Sequence, residues 1–437
     1  LKNILKKVFS LHSEDWPKAL PLATFFFLVI ITFWIIKPIK RGMLVNYFAA
    51  SPLHFWGLTF HGAQTEQLCK ILNLFAAYVA VIFFTWLVKR YPRHYVVLIS
   101  AVLFSSLFLL YSFLIRYLNA PVVISFYVLG DIFTTVMVTL FWSFTNDIST
   151  PQEAKRSYGI IGLGGVLGGF VGATIVADKV EVLGRSTLLI LCILPMAAVI
   201  FLAFMVQRKV EKKNVVSGPA ATPTATSDVW EGAKLVFASR YLLAIAGLIL
   251  VYEITSNLID FQLSSVVEAG IAVGLKKDAF FAMVGQYTGI ASIFIQLFLT
   301  PWVLMRFGVR TALSFLPIAI FLTSLGFFIF PVLALVAAMS VSDNSMNYSI
   351  NQSAKEVLYT ATPRDAIYKA KAFIDMFVQR FSKVISVVLN LAFVLLVGKN
   401  VRWLSLVALT LTSAWYGLTS YLGTQFGQKA QAKEKDA

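Results

Sequence analysis

Residues 20–36 read LPLATFFFLVIITFWII, an unbroken apolar run of membrane-spanning length, and the chain then turns abruptly into Ile36-Lys37-Pro38-Ile39-Lys40-Arg41. A helix through this run places Trp34, Lys37 and Arg41 on one face, with Lys40 beside it. On insertion scales each Lys or Arg near the centre of a spanning helix costs roughly 2.5–3.5 kcal/mol, so such residues usually turn toward a bundle interior, a cavity or a partner. An aromatic plate beside a basic cluster suits a ligand that carries an aromatic base and phosphates. The plainer reading is an interfacial belt, with Trp anchoring and Lys and Arg snorkelling to the headgroups.

The rest of the chain repeats the first run. Hydrophobic residues make up 58% of the 437 positions, charged residues 13%, and mean hydropathy is +0.79. That composition excludes a water-soluble globule and predicts a polytopic membrane protein. The apolar runs are too long and continuous for the alternating strands of a barrel. They predict an all-α fold of twelve transmembrane helices over residues 20–48, 66–88, 95–115, 121–146, 155–177, 186–207, 241–266, 280–304, 309–330, 332–358, 368–396 and 401–423.

The net charge of +16 raises nucleic-acid binding as a possibility, and its distribution argues against it. Lys and Arg concentrate in the termini and in every second loop, the pattern of the positive-inside rule, so both termini and the long central loop are expected on the cytoplasmic side. No cleavable signal is visible, and a targeting segment before Leu1 is left open. A bacterial inner membrane or a plastid-type inner envelope is the expected location. Cys69 and Cys192 both fall in predicted spans, which implies neither a disulfide nor a metal framework. His12, His54, His61 and His94 lie in loops or at helix ends.

Between Arg208 and Ser227 the sequence becomes basic and then rich in Pro, Ala and Thr, a flexible linker. The expected organisation is a six-helix half at 1–207, a linker at 208–228 and a second six-helix half at 229–437. Two loops echo each other across the halves. Thr150-Pro151-Gln152-Glu153-Ala154 recurs as Thr362-Pro363-Arg364-Asp365-Ala366, and Arg90-Tyr91-Pro92-Arg93 has a looser counterpart in Arg306-Phe307-Gly308-Val309-Arg310. Thr-Pro-x-acidic is also a good helix start in its own right, so the first match alone could be two independent caps. Together with the six-plus-six division, the matches favour duplicated halves rocking about a central site, the major-facilitator-like architecture.

Polar residues inside the spans form stripes. In the seventh, Glu253, Ser256, Asn257, Asp260 and Ser264 share a face that is otherwise surrounded by Leu, Ile, Val and Ala. The fourth aligns Asp131, Thr135, Trp142 and Thr145; the second aligns Glu66, Lys70 and Asn73. The eleventh carries Lys371, Asp375, Gln379, Ser382 and Ser386, flanked by Arg380 and Lys383. The tenth is polar from Ser342 to Glu356, including Asp343, Asn344, Asn347, Tyr348, Asn351 and Lys355. Ion pairs that lock packing, such as Lys371 with Asp375, would explain some of these. So many buried polar groups together favour a water-filled cavity. The glycines at 164, 165, 168, 169 and 172 are read as close-packing residues, because no Lys-Ser/Thr ending makes them a phosphate loop.

These stretches resemble the bacterial and plastid type ATP/ADP translocase family over most of the chain. That family's Leu-Arg-Asp-x-Lys-Asp corresponds to Ile36 to Arg41, with Lys40 on its Lys, Lys37 in place of its Arg, and Pro38 and Arg41 in place of its two acids. Its Phe-Trp-x-Phe-Ala-Asn is similar to Phe141-Trp142-Ser143-Phe144-Thr145-Asn146. Its Tyr-x-Ile-x-x-Asn-Leu-Val-Glu is similar to Tyr252 through Asp260, with Asp260 in the place of the Glu. The tenth and eleventh spans match most specifically, at Tyr348-Ser349-Ile350, Lys355-Glu356, Tyr359, Lys369-Ala370-Lys371-Ala372, Ile374-Asp375 and Arg380-Phe381-Ser382-Lys383. The resemblance implies a multipass nucleotide transporter whose substrate phosphates meet Lys40, Lys355 and Lys371.

The expected site therefore contains Trp34, Lys37, Lys40, Arg41, Tyr348, Lys355 and Lys371 for the substrate. Asp131, Glu253, Asn257, Asp260, Asp375 and Arg380 are expected to serve coupling or gating. A small anionic solute, foremost a nucleotide, and the lipid bilayer are the expected partners; no cofactor, metal, nucleic acid or obligate protein partner is. Without HExxH, paired Cys/His spacing or a His in the stripes, enzymatic chemistry is not expected. A facilitator of another organic anion or drug, and a non-transporting interaction protein, stand as alternatives.

Overall fold

In the computed structural model, residues 16–55, 57–149, 151–211, 227–359, 370–371, 373–398 and 400–435 are described. Almost all are helical. The elements are α1 (Trp16–Ala50), α2 (Gly62–Arg90), α3 (Arg93–Leu114), α4 (Ala120–Asp147), α5 (Pro151–Leu191), α6 (Ile193–Glu211), α7 (Ser227–Ala238), α8 (Arg240–Gly270), α9 (Leu275–Phe294), α10 (Thr300–Ile329), α11 (Leu333–Met346), α12 (Gln352–Tyr359), α13 (Gln379–Val397) and α14 (Leu404–Lys435). Eight helical stretches of the described residues are long and apolar enough to cross a membrane, which makes the chain a multi-pass membrane protein. Two of them are over fifty residues long, Ser157–Arg208 and Leu275–Ile329. Each contains a glycine with positive φ, Gly184 (74°) and Gly308 (79°), a conformation that breaks helical geometry and that glycine adopts without Cβ strain.

Several details depart from the sequence reading. The fold is not purely α: Leu53–Phe55 pairs antiparallel with Leu58–Phe60, in the register His54 opposite Thr59, around Gly57 at φ 75°. Helix α5 runs past residue 177 to the break at Gly184. A short helix, α7, begins at Ser227, the end of the segment read as a linker. Among the described residues, three single π-helical turns, Ile295–Leu299, Asn347–Asn351 and Ile374–Val378, interrupt the regularity of the later spans. Such turns insert a residue and re-aim the side chains around them. Thr150, the Thr362 to Ala366 repeat and Lys369 lie outside the described residues.

The chain forms two compact units. One comprises Leu1–His61, Leu72–Thr222 and Ala272–Gly289; the other comprises Gly62–Ile71, Pro223–Ile271 and Ile290–Ala437. In the first, α1 packs along α5 backbone to backbone. A Cβ on Gly164 would meet the Ala23 backbone, one on Gly168 the backbone of Phe27 and Ile31, and one on Gly172 the Ile31 carbonyl. The four-residue spacing on both helices is the small-residue interface expected of membrane helices. Beside it Phe26 stacks on Phe141 with ring centres 4.5 Å apart, and Phe25 meets the Phe141 ring edge-to-face at 5.1 Å. In the second unit, Ile254, Leu258 and Phe261 of α8 pack with Ala63, Val401 and Leu404.

Candidate functional site

In the first unit the basic run of α1 lies among aromatic rings and the acid Asp131. Lys40 is 5% exposed. Its ammonium pairs with Asp131 of α4, whose other carboxylate oxygen accepts from the Asn73 amide, and it stands 4.4 Å over the Tyr127 ring. Tyr127 and Asp131 are four residues apart on α4 and so share a face. Gly130 lies between them, where a Cβ would come within 2.7 Å of Lys40 Cδ. The lysine stem crosses α4 at the one place where no side chain obstructs it. Asp131 keeps 39% of its side chain exposed, so the pair is dry at the lysine and open at the acid.

Lys37 stands 4.4 Å over the Trp34 ring and Arg41 4.7 Å over Phe281 of α9. Trp34 fits a slot made by glycines: Cβ atoms on Gly169, Gly172 or Gly285 would run into it. It is a wedge between helices as well as an aromatic surface. Pro38, inside α1, removes a donor and leaves the carbonyl four residues earlier, that of Trp34, without its helical partner.

The second unit gathers the stripes of α2, α8, α11 and α12. Lys70 lies 3.4 Å from Asp260 and 3.3 Å from the Asn257 side-chain oxygen. Ser264 donates to Glu66, and Glu268 accepts from the backbone N–H groups of Gly62 and Ala63, both at 2.8 Å. A carboxylate at the first turn of α2 is electrostatically favourable. Ser256 donates to buried Asp343 at 2.6 Å. Asp343, Asp260, Glu253 and Lys383 lie within Coulombic reach of Tyr348. Tyr348 itself is 53% exposed, and Lys355, almost buried, has its ammonium 5.3 Å from the Tyr252 ring centre.

Lys371, read as a substrate contact with an i,i+4 pair to Asp375 as the packing alternative, lies against Glu356 and Tyr359. It reaches back to Glu356, with both oxygens at 2.7 Å, and lies 5.5 Å from the Tyr359 ring. Asp375 falls in a π-helical turn and its side chain is outside the described residues. Arg380 sits half-buried at the start of α13, and Glu253 is half-buried on α8.

The structure thus joins Lys40 to Asp131 in one unit, and Asn257 and Asp260 to Lys70 in the other. Reading stripes helix by helix identified the polar faces and missed the partners. The second-span stripe divides: Asn73 serves Asp131, while Lys70 serves Asp260. Tyr127 and Gly130 were not singled out in the sequence; Tyr127 lies one turn before Asp131 on the same face, a spacing that could have drawn attention to it. Arg185 and Asp278 lie outside every stripe and were not found.

This arrangement of cations seated on aromatic faces and paired with half-open carboxylates can receive an anion by exchanging one carboxylate for another acid group. Residues 114–426 match the TLC ATP/ADP transporter family. The chain belongs to that family. It is 24% identical to ADP,ATP carrier protein 1 of Chlamydia pneumoniae over 98% of this chain and 94% of that protein. It is 26% identical to the plastidic ATP/ADP-transporter of Solanum tuberosum over 71% of this chain, spanning about half (54%) of that longer protein. Among solved structures, this TLC-family chain resembles the POT family transporter PepTSo, with a TM-score of 0.62 at 9% identity over 96% of this chain and 99% of that one. It also resembles a bacterial homolog of the human lysosomal transporter Spinster, with a TM-score of 0.59 at 14% identity over 95% and 99%. These likenesses establish a major-facilitator-like fold.

Proposed function

We propose that this protein is an alternating-access carrier for a phosphorylated nucleotide, exchanging ATP and ADP or taking nucleotide up with a coupled ion. The observation that carries the reading is the Lys40–Asp131–Asn73 arrangement, in which a buried lysine is held by a carboxylate that keeps 39% of its side chain exposed. A phosphate approaching from the open side can take the place of Asp131 on the lysine, and the displaced carboxylate keeps Asn73 and water. Lys70 with Asp260 offers the second unit an equivalent exchange. Tyr348 and Trp34 supply surfaces for a base, Lys37, Arg41, Lys355 and Lys371 further charge for phosphates, and Glu253, Asn257, Asp375 and Arg380 the coupling and gating groups.

Counting the stretches broken at Gly184 and Gly308 as two passes each, and adding the passes through α11–α12 and α14, gives twelve spans. They divide as six in residues 1–207 and six in 229–437 around the 208–228 linker, with both termini cytoplasmic and the protein in a bacterial inner membrane or a plastid-type envelope. This organisation supports rocking of two halves.

The test is uptake of labelled ATP by proteoliposomes with and without internal ADP. Exchange requires uptake that depends on internal ADP; ion-coupled uptake requires that it follow an imposed ion gradient. Absence of nucleotide flux under every gradient, in protein of native melting behaviour, would overturn the nucleotide reading. Pro38 and Arg41 would then mark selection of another organic anion, because they remove negative charge from the basic run.

A further inference from the structure

A buried ion pair of the first unit lies outside the groups assigned above. Arg185 follows the break at Gly184 and grips Asp278 with two parallel bonds, Nε to Oδ2 at 2.6 Å and Nη2 to Oδ1 at 2.9 Å. The Asp278 side chain is 0% exposed and sits in the first turn of α9. Its carboxylate and backbone nitrogen also press against Gly42 of α1, where a Cβ would collide with both. One turn further along α1, the Asn46 amide donates to the Gly274 carbonyl at 2.7 Å and accepts from the Gly274 nitrogen at 3.1 Å. Three segments distant in sequence meet here: the end of α1, the residue after the α5 break and the start of α9. By the charge pattern all three lie on the membrane side opposite the amino terminus.

We infer that Arg185–Asp278, reinforced by Asn46–Gly274 over Gly42, is a latch that closes this end of α1 against α9 and must part in every transport cycle. The inference rests on the alternating-access reading. A buried bidentate pair suits a latch. In the closed state, desolvation of both charges offsets much of their attraction, so the pair is specific without being strongly stabilising. In the open state both charges recover water, so opening is reversible. Removing one partner has a different effect: it leaves the other charge buried and uncompensated, which penalises the closed state alone.

Accessibility labelling tests this. Val45, fully buried on α1 beside the latch, is replaced by Cys in a background where the buried Cys69 and Cys192 are Ser. A membrane-impermeant maleimide is then applied to vesicles from the side opposite the amino terminus. Asp278→Asn is expected to speed labelling at least about tenfold, well within the cost of an uncompensated buried charge. If Asp278→Asn does not fold, Arg185→Gln is read in the same way. Unchanged labelling in a variant of native melting temperature, or faster labelling only from the amino-terminal side, would overturn the latch. Because labelling requires no substrate, absence of nucleotide flux would defeat the proposed function and leave this result standing.

Discussion

Lys40→Gln is expected to lower nucleotide exchange at least about a hundredfold, equivalent to about 2.7 kcal/mol of lost transition-state stabilisation, while leaving the protein folded. Glutamine keeps part of the stem that crosses Gly130 and can still donate to Asp131. It cannot offer a charge to a phosphate, and hydrogen bonds to charged groups contribute about 1.5–3 kcal/mol each. The fold tolerates the change because Asp131 is not left isolated: the Asn73 amide still donates to it and its side chain is 39% exposed. A truly buried carboxylate in that position would make the variant unfold and the measurement uninformative. Gly130→Val is the companion. It keeps the charge and pushes the stem away, since even a Cβ there comes within 2.7 Å of Lys40 Cδ, so exchange should fall with the ammonium intact. Initial rates of labelled ATP uptake against internal ADP, with thermal melting on the same preparations, check both. Rates within threefold of native for Lys40→Gln would remove Lys40 from the site.

The two companions also show what a single sequence can and cannot reveal. Lys40 was legible because a lysine ending an apolar run is costly and therefore informative. Asp131 was legible for the same reason, as an acid inside a span. Their pairing was not: it depends on how α1 crosses α4, which no periodicity within either helix encodes. Gly130 was invisible for a related reason, since a glycine inside a spanning helix looks like any other until the group crossing it is known. Arg185 and Asp278 show the limit most clearly. Each stands at the edge of an apolar run, where charges are ordinary, and only the approach of three separate segments makes Asp278 a fully buried carboxylate. Lys371 shows the converse. Its i,i+4 spacing to Asp375 suggested one partner, whereas the structure shows it on Glu356, fifteen residues earlier, a contact that no helical spacing indicates. The helical, multi-pass character was readable, because hydropathy is a property of each segment alone, whereas the hairpin at 53–60 depends on a turn at Gly57 that has no apolar signature.

Gly168→Leu is the substitution expected to damage the fold most. The glycine faces the Phe27 carbonyl and the Ile31 nitrogen, both backbone atoms, and backbone cannot rotate away as a side-chain tip can. Leucine there must separate α1 from α5 or bend one of them. Overpacking of a close interface costs about 1–3 kcal/mol and occasionally more; the upper end is expected because Gly164 and Gly172 rest on the same face of α1 and lose contact together. Gly162→Leu is the control. It lies on the same helix with nothing within 4 Å of its would-be Cβ, so leucine there meets open space and should gain up to about 1 kcal/mol of helix propensity. Thermal unfolding of both variants in one detergent separates the explanations. A large fall for Gly168→Leu with little change for Gly162→Leu assigns the effect to the α1–α5 interface, whereas equal falls would mean that α5 needs glycine for flexibility along its length. The consequence reaches the site, because Gly169 and Gly172 on the same helix hold Trp34, and Trp34 carries Lys37 on its ring. Any loosening that Gly168→Leu produces should therefore appear as a red-shifted tryptophan emission, lost again in a Trp34→Phe background.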